Sequence, residues 1–97
     1  MIRCQPTKNG TVKVTFSLPA EQAGGKVSVV GDFNGWDPHA TPLRKRSGLL
    51  TASVSLPAGQ RHAFRYLVEG GQWLDDDEAH DREINEFGTK NNVIDVG

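Results

Sequence analysis

Cysteine is nearly absent. Cys4 is the only one in 97 residues, which excludes an internal disulfide and any thiolate metal cage. Long apolar runs are missing too, and nothing approaches the roughly 18 consecutive apolar residues of a spanning helix. The opening residues Met1-Ile2-Arg3-Cys4-Gln5-Pro6 lack the apolar stretch of a secretory leader, so a cytoplasmic location without a membrane partner is expected. No phosphate-binding glycine loop, no G-x-G-x-x-G and no G-x-S-x-G elbow occurs. What remains is ordinary for a globular fold, with 36% hydrophobic and 24% charged residues. That balance excludes a coiled coil and a disordered tail, and the length suits one domain over residues 1–97.

The net charge of −1 conceals an asymmetry. Residues 1–65 hold nine Lys/Arg against Glu21, Asp32 and Asp37, whereas residues 66–97 hold nine acids against Arg82 and Lys90. A basic half can bind nucleic acid. Here the cations are scattered among expected strands and turns, so a mixed solvated surface without nucleic acid is the reading.

Period-two alternation recurs along the chain and predicts strands. Val12, Val14, Phe16 and Leu18 alternate with Lys13, Thr15 and Ser17. Val27 and Val29 alternate about Ser28, and Leu50, Ala52, Val54 and Leu56 about Thr51, Ser53 and Ser55. Phe64, Tyr66 and Val68 form a fourth run, and residues 93–96 a short last one. Asn9-Gly10, Gly24-Gly25, Asn34-Gly35, Ser47-Gly48 and Gly70-Gly71 supply turns between and around them. Residues 78–87 could hold a turn or two of helix, but Ile84 and Phe87 define no apolar face, so a loop is expected. Short strands, tight turns and no βαβ alternation predict an all-β antiparallel sandwich.

Catalytic constellations are poor. The run Asp75-Asp76-Asp77-Glu78 with His80 and Asp81 could be a hard-cation site or a glycosidase carboxylate pair. Calcium-loop spacing fails, and consecutive residues in one loop cannot straddle a glycosidic bond. A solvated acidic loop is expected. His39, His62 and His80 show no ligand spacing, and Cys4 has no base beside it. No metal, no cofactor and no enzymatic activity are predicted. Asn9-Gly10-Thr11 reads as a hairpin turn rather than a glycosylation site.

The aromatic residues say more. Trp36 follows Gly-Asp-Phe-Asn-Gly and precedes Asp37-Pro38, and Trp73 follows Gly70-Gly71-Gln72. Both tryptophans sit in turn contexts outside the alternating runs. They either form exposed aromatic surface or tuck under their loops as lids on the core.

Residues 27–38, Val-Ser-Val-Val-Gly-Asp-Phe-Asn-Gly-Trp-Asp-Pro, closely resemble the opening motif of carbohydrate-binding module family 48. This family includes isoamylase N-terminal (early-set) domains and the glycogen-binding domain of the AMP-activated kinase β subunit. The likeness continues through Leu56-Pro57-Ala58-Gly59, then residues 64–73, then Gly88-Thr89-Lys90-Asn91-Asn92-Val93, and covers about residues 12–96 in order. The resemblance implies an immunoglobulin-like β-sandwich of early-set type that binds α-1,4-linked glucan without catalysis. The family's two stacking tryptophans are matched by Trp36 and Trp73. Its sugar-binding lysine is matched by Arg65, which keeps the charge and adds donors. Its threonine and asparagine are matched by Thr89 and Asn91, and an apolar residue, usually leucine, by Phe87. Asn34 is expected to form the turn and Phe33 to join the core.

The chemistry fits, because an indole covers the C–H face of a pyranose while planar polar groups meet its hydroxyl rim. The expected partner is therefore an α-glucan polymer or oligosaccharide. The alternative is a protein-interaction or regulatory module of the same fold that docks on an enzyme or kinase in trans. Exposure of Trp36 and Trp73 on one face separates the two.

Overall fold

Strand alternation builds two inner faces. Along β2 (Thr11–Pro19), Val12, Val14, Phe16 and Leu18 are buried while Lys13 is exposed. β5 (Leu49–Pro57) runs antiparallel beside it, with Val14 opposite Val54 and Phe16 opposite Ala52. β1 (Ile2–Pro6) flanks β2 and β4 (Arg44–Arg46) flanks β5, so the first sheet has the order β1-β2-β5-β4. The second sheet has the order β3-β6-β9-β8, from Val27–Gly31, Gln60–Val68, Lys90–Val96 and Asp81–Ile84. β7 (Gln72–Leu74) pairs with the C-terminal half of β6, with Trp73 opposite Leu67. The computed structural model describes residues 1–7 and 9–96.

The sheets close on a core that includes Val14, Phe16, Val29, Phe64, Tyr66 and Ile94. Phe16 lies 4.9 Å from Phe64 and 5.7 Å from Phe33, centroid to centroid. Phe33 thus joins the core from the turn after β3, as its place beside an apolar strand suggested. This is an antiparallel sandwich of the immunoglobulin-like, early-set kind. Among the described residues no helix is long and apolar enough to cross a membrane.

Hairpin chemistry follows the local residues. Ser47 and Gly48 both take positive φ (50° and 79°), as a two-residue turn between twisted strands requires. Asn9-Gly10 lies between β1 and β2, where the Thr7 N–H donates to the Thr11 carbonyl at 2.9 Å.

Two expectations are corrected. Residues 78–87 are not all loop, because Asp81–Ile84 forms β8 along β9. Its ladder bonds come from backbone, which a side-chain pattern does not report. The acidic run is not simply solvated either. Asp76 is 1% exposed. Its Oδ2 accepts from the Tyr66 hydroxyl at 2.6 Å and the Met1 α-amino group at 2.7 Å, and its Oδ1 from the Glu78 N–H at 2.8 Å. Burial, then the Asp76 charge and hydrogen bond, hold the Tyr66 phenol far above its ordinary pKa. Asp76 thus ties the loop to the core, while Asp75, Asp77 and Glu78 stay exposed.

Candidate functional site

The turn that presents Trp36 is fastened from several sides. After β3 the chain makes one 3₁₀ turn over Asp32–Asn34. Asn34 Oδ1 accepts from the Gly31 N–H at 3.0 Å, and Asn34 Nδ2 donates to the Val29 carbonyl at 3.0 Å and to Thr41 Oγ1 at 3.1 Å. Asn34 is therefore the turn-former it was expected to be. Asp32 anchors the same turn to β6, accepting from the Ala63 N–H at 3.1 Å and sharing a 2.7 Å hydrogen bond with His62. Gly31 is obligatory by space, since a Cβ there would stand 2.5 Å from the Phe33 ring and 2.7 Å from the Ala63 carbonyl.

Trp36 then adopts a φ of 58°, a left-handed conformation that a bulky L-residue rarely takes. Its N–H donates back to the Gly31 carbonyl at 2.9 Å. The backbone strain, of order 1–3 kcal/mol, is held by the hydrogen bonds of Asn34 and Asp32. The outcome is an indole standing out from the sheet, 40% exposed.

Trp73 reaches the same face by another route. Registered partners on neighbouring strands share a face, so Val30 lies beside Arg65, and Leu67 beside Trp73, on the outer side of the second sheet. The Arg65 guanidinium carbon sits 4.9 Å above the Trp73 ring, within cation–π range. Trp73 is 42% exposed. Arg65 Nη1 donates to Thr89 Oγ1 at 3.4 Å, while its buried Nε has no partner.

The third wall is the β8–β9 turn, and Asn85 organises it. Its Oδ1 accepts from the N–H groups of Phe87 (3.0 Å) and Thr89 (3.2 Å). Its Nδ2 donates to Thr89 Oγ1 at 2.7 Å and Asn91 Oδ1 at 3.0 Å. Phe87 projects outward at 82% exposure and does not anchor the loop in the core.

These walls enclose an open cleft of about 600 Å³, within the usual range of ligand sites. Trp36, Arg65, Trp73, Phe87 and Asn91 line it together. Thr89 stands outside the lining and reaches the cleft only through its contacts with Arg65 and Asn85. Asn91 is largely buried, with its carbonyl oxygen taken by Asn85, which leaves its amide N–H₂ for other partners. Glu83, Asn85 and Glu86 also line the cleft and were not anticipated. An Asn ahead of a Gly-Thr turn was the available signal for Asn85. The exposed acids Glu83, on an edge strand, and Glu86, in the turn after it, give none.

Other candidates do not converge on a site. His80 Nδ1 accepts from the Asp95 N–H at 2.9 Å, and His62 is held by Asp32. The Arg82 N–H and then Arg61 hold the Asp81 carboxyl below its ordinary pKa. Partial burial raises the pKa of the Cys4 thiol, away from nucleophilic character. No group of three metal-ligating side chains occurs among the described residues.

A sandwich that gathers two exposed indoles and an under-satisfied guanidinium in one open cleft has the architecture of a ligand-recognition module. The chain belongs to the family described as the glycogen recognition site of AMP-activated protein kinase, whose model matches residues 11–97. It is also similar to 1,4-alpha-glucan branching enzymes. That of Pseudomonas putida is 39% identical over 71 residues, covering 69% of this chain and 10% of the enzyme. That of Deinococcus radiodurans is 41% identical over 71 residues, covering 71% of this chain and 10% of the enzyme. GlgB 2 of Xanthomonas campestris is 39% identical over 63 residues, covering 63% of this chain and 8% of the enzyme. The chain thus spans a tenth or less of these relatives.

Proposed function

We propose that this domain binds α-1,4-linked glucan without catalysis, using Trp36 and Trp73 as stacking surfaces and Arg65, Asn91 and Phe87 as flanking contacts. The observation that carries the reading is the convergence of two half-exposed indoles on one cleft with a guanidinium that has unfilled donors. Glucose rings offer C–H faces to the indoles and hydroxyl oxygens to Arg65 and the Asn91 amide. Thr89 acts through Arg65, fixing the plane of its guanidinium. The family's description supports the same ligand class.

Glu83 and Glu86 do not form a hydrolytic pair in this reading. They come from one rim, three residues apart, whereas hydrolysis needs carboxyl groups on both sides of the scissile bond. They are suited to accept hydrogen bonds from sugar hydroxyls.

A shallow open cleft should bind maltoheptaose weakly, with Kd on the order of 10 μM to 1 mM. Migration in a native gel cast with glycogen tests the proposal. Retardation by glycogen or amylose and none by cellulose or chitin is expected, and equal retention on cellulose would overturn the ligand class.

A further inference from the structure

The cations that look scattered in sequence are gathered by the first sheet. Pairing register puts Arg3 beside Thr15 and Thr15 beside Ser53. In the next row Ser17 lies beside Thr51 and Thr51 beside Arg44. Residues of one row share a face, and here it is the face turned away from the core, opposite the aromatic cleft. Arg3, Lys13, Arg44 and Arg46 are exposed there and, with the exposed Lys45 from the Leu50 row of the edge strand, line a shallow trough of about 530 Å³. Among the described residues no acid lines this trough. None of the five cations takes part in an ion pair among the described residues.

The trough has a definite build. Arg3 and Arg44 stand on its two edge strands, three strand spacings or roughly 14 Å apart. Its floor carries short hydroxyls bonded to one another, Thr15 to Ser53 at 2.9 Å and Ser17 to Thr51 at 3.3 Å. Short side chains let another backbone approach the sheet, and no aromatic or large apolar residue offers a stacking or hydrophobic anchor. The occupant must therefore be recognised by charge.

We propose that this face binds an extended acidic segment of a partner protein, independently of the glucan cleft. Arg44 and Arg46 are two residues apart on one strand, about 6.6 Å at strand geometry. Carboxylates at alternate positions of an extended peptide repeat at the same distance. A single-stranded nucleic acid fits less well, because its binding draws on aromatic stacking that this face lacks. Since the two sites lie on opposite faces of the sandwich, the domain would hold a glucan and an acidic partner together.

The test is fluorescence anisotropy of a labelled oligoglutamate peptide, with oligothymidylate of equal charge alongside, on the full chain. Peptide binding that weakens roughly tenfold between about 0.05 and 0.3 M salt supports the proposal. So does a loss of roughly tenfold in Arg44→Glu/Arg46→Glu, and in Lys13→Glu as a separate variant on another strand, with glycogen retardation unchanged. Circular dichroism confirms that each variant is folded. Tighter binding of the oligonucleotide, no binding of either probe at low salt, or binding indifferent to these reversals would overturn it. Salt-sensitive self-association without peptide, seen by sedimentation, would also overturn it by giving the trough to the acidic residues of a second copy.

Discussion

Truncation of Trp36 separates binding from backbone strain. Aromatic side chains bury about 150–250 Å² when fully covered, and Trp36 is 40% exposed. Its burial then removes roughly 120 Å² from water, which at about 25 cal/mol per Å² gives some 3 kcal/mol. Residual compactness of the unfolded chain lowers this to about 2 kcal/mol. Trp36→Ala should therefore destabilise by about 2 kcal/mol, between a free surface change and the 3–5 kcal/mol of a core Trp. Trp36→Gly loses the same ring but relieves the left-handed φ of 58°, so it should be about 1 kcal/mol more stable than Trp36→Ala. In binding, the two variants should be alike. If glucose on indole follows the 1–3 kcal/mol of base–aromatic stacking, each loses about 5- to 150-fold in maltoheptaose affinity. Thermal or urea melts beside calorimetric titrations give both readings. Unchanged affinity in both variants would refute the stacking role. An alanine variant as stable as the glycine one would refute the strained turn.

The single tyrosine gives a pH test. Its raised phenol pKa in the fold means that stability is intact below about pH 10 and falls above it by about 1.4 kcal/mol per pH unit. Tyrosinate absorbance should rise together with loss of near-ultraviolet dichroism, and Tyr66→Phe should abolish this alkaline slope. Gly31→Ala should cost about 1–3 kcal/mol by overpacking against Phe33 and Ala63. Because it displaces the Trp36 turn, it should also weaken glucan binding at temperatures where it stays folded. Adding calcium or chelator should leave the melting temperature unchanged, since Asp76 is committed to Tyr66 and the Glu78 amide. A calcium-dependent rise of several degrees would contradict that assignment.

Residues with one wet and one dry face were legible from the sequence, because burial imposes a period of two. That covers β2, β3, β5, β6 and the end of β9, with the positive-φ turn at Ser47-Gly48. β1, β4, β7 and β8 left little trace. They are edge or partial strands, exposed along β1 after a half-buried Ile2 and exposed throughout β4, so backbone pairing rather than side-chain burial holds them. Both tryptophans were read in turn contexts, although Trp73 lies in strand β7, and whether they faced water or core was open until the turn around Asn34 fixed Trp36 and the pairing of β7 fixed Trp73. Asn85, Glu83 and Glu86 entered the cleft only through the β8–β9 register. The same physics divides the charges. Composition along the chain set how many cations the first half holds, but only strand pairing, which joins residues far apart in sequence, brought Arg3, Lys13, Arg44 and Arg46 onto one face. It likewise drew Asp76 out of an acidic run into the core, where Tyr66 offered the donor that a buried carboxylate needs.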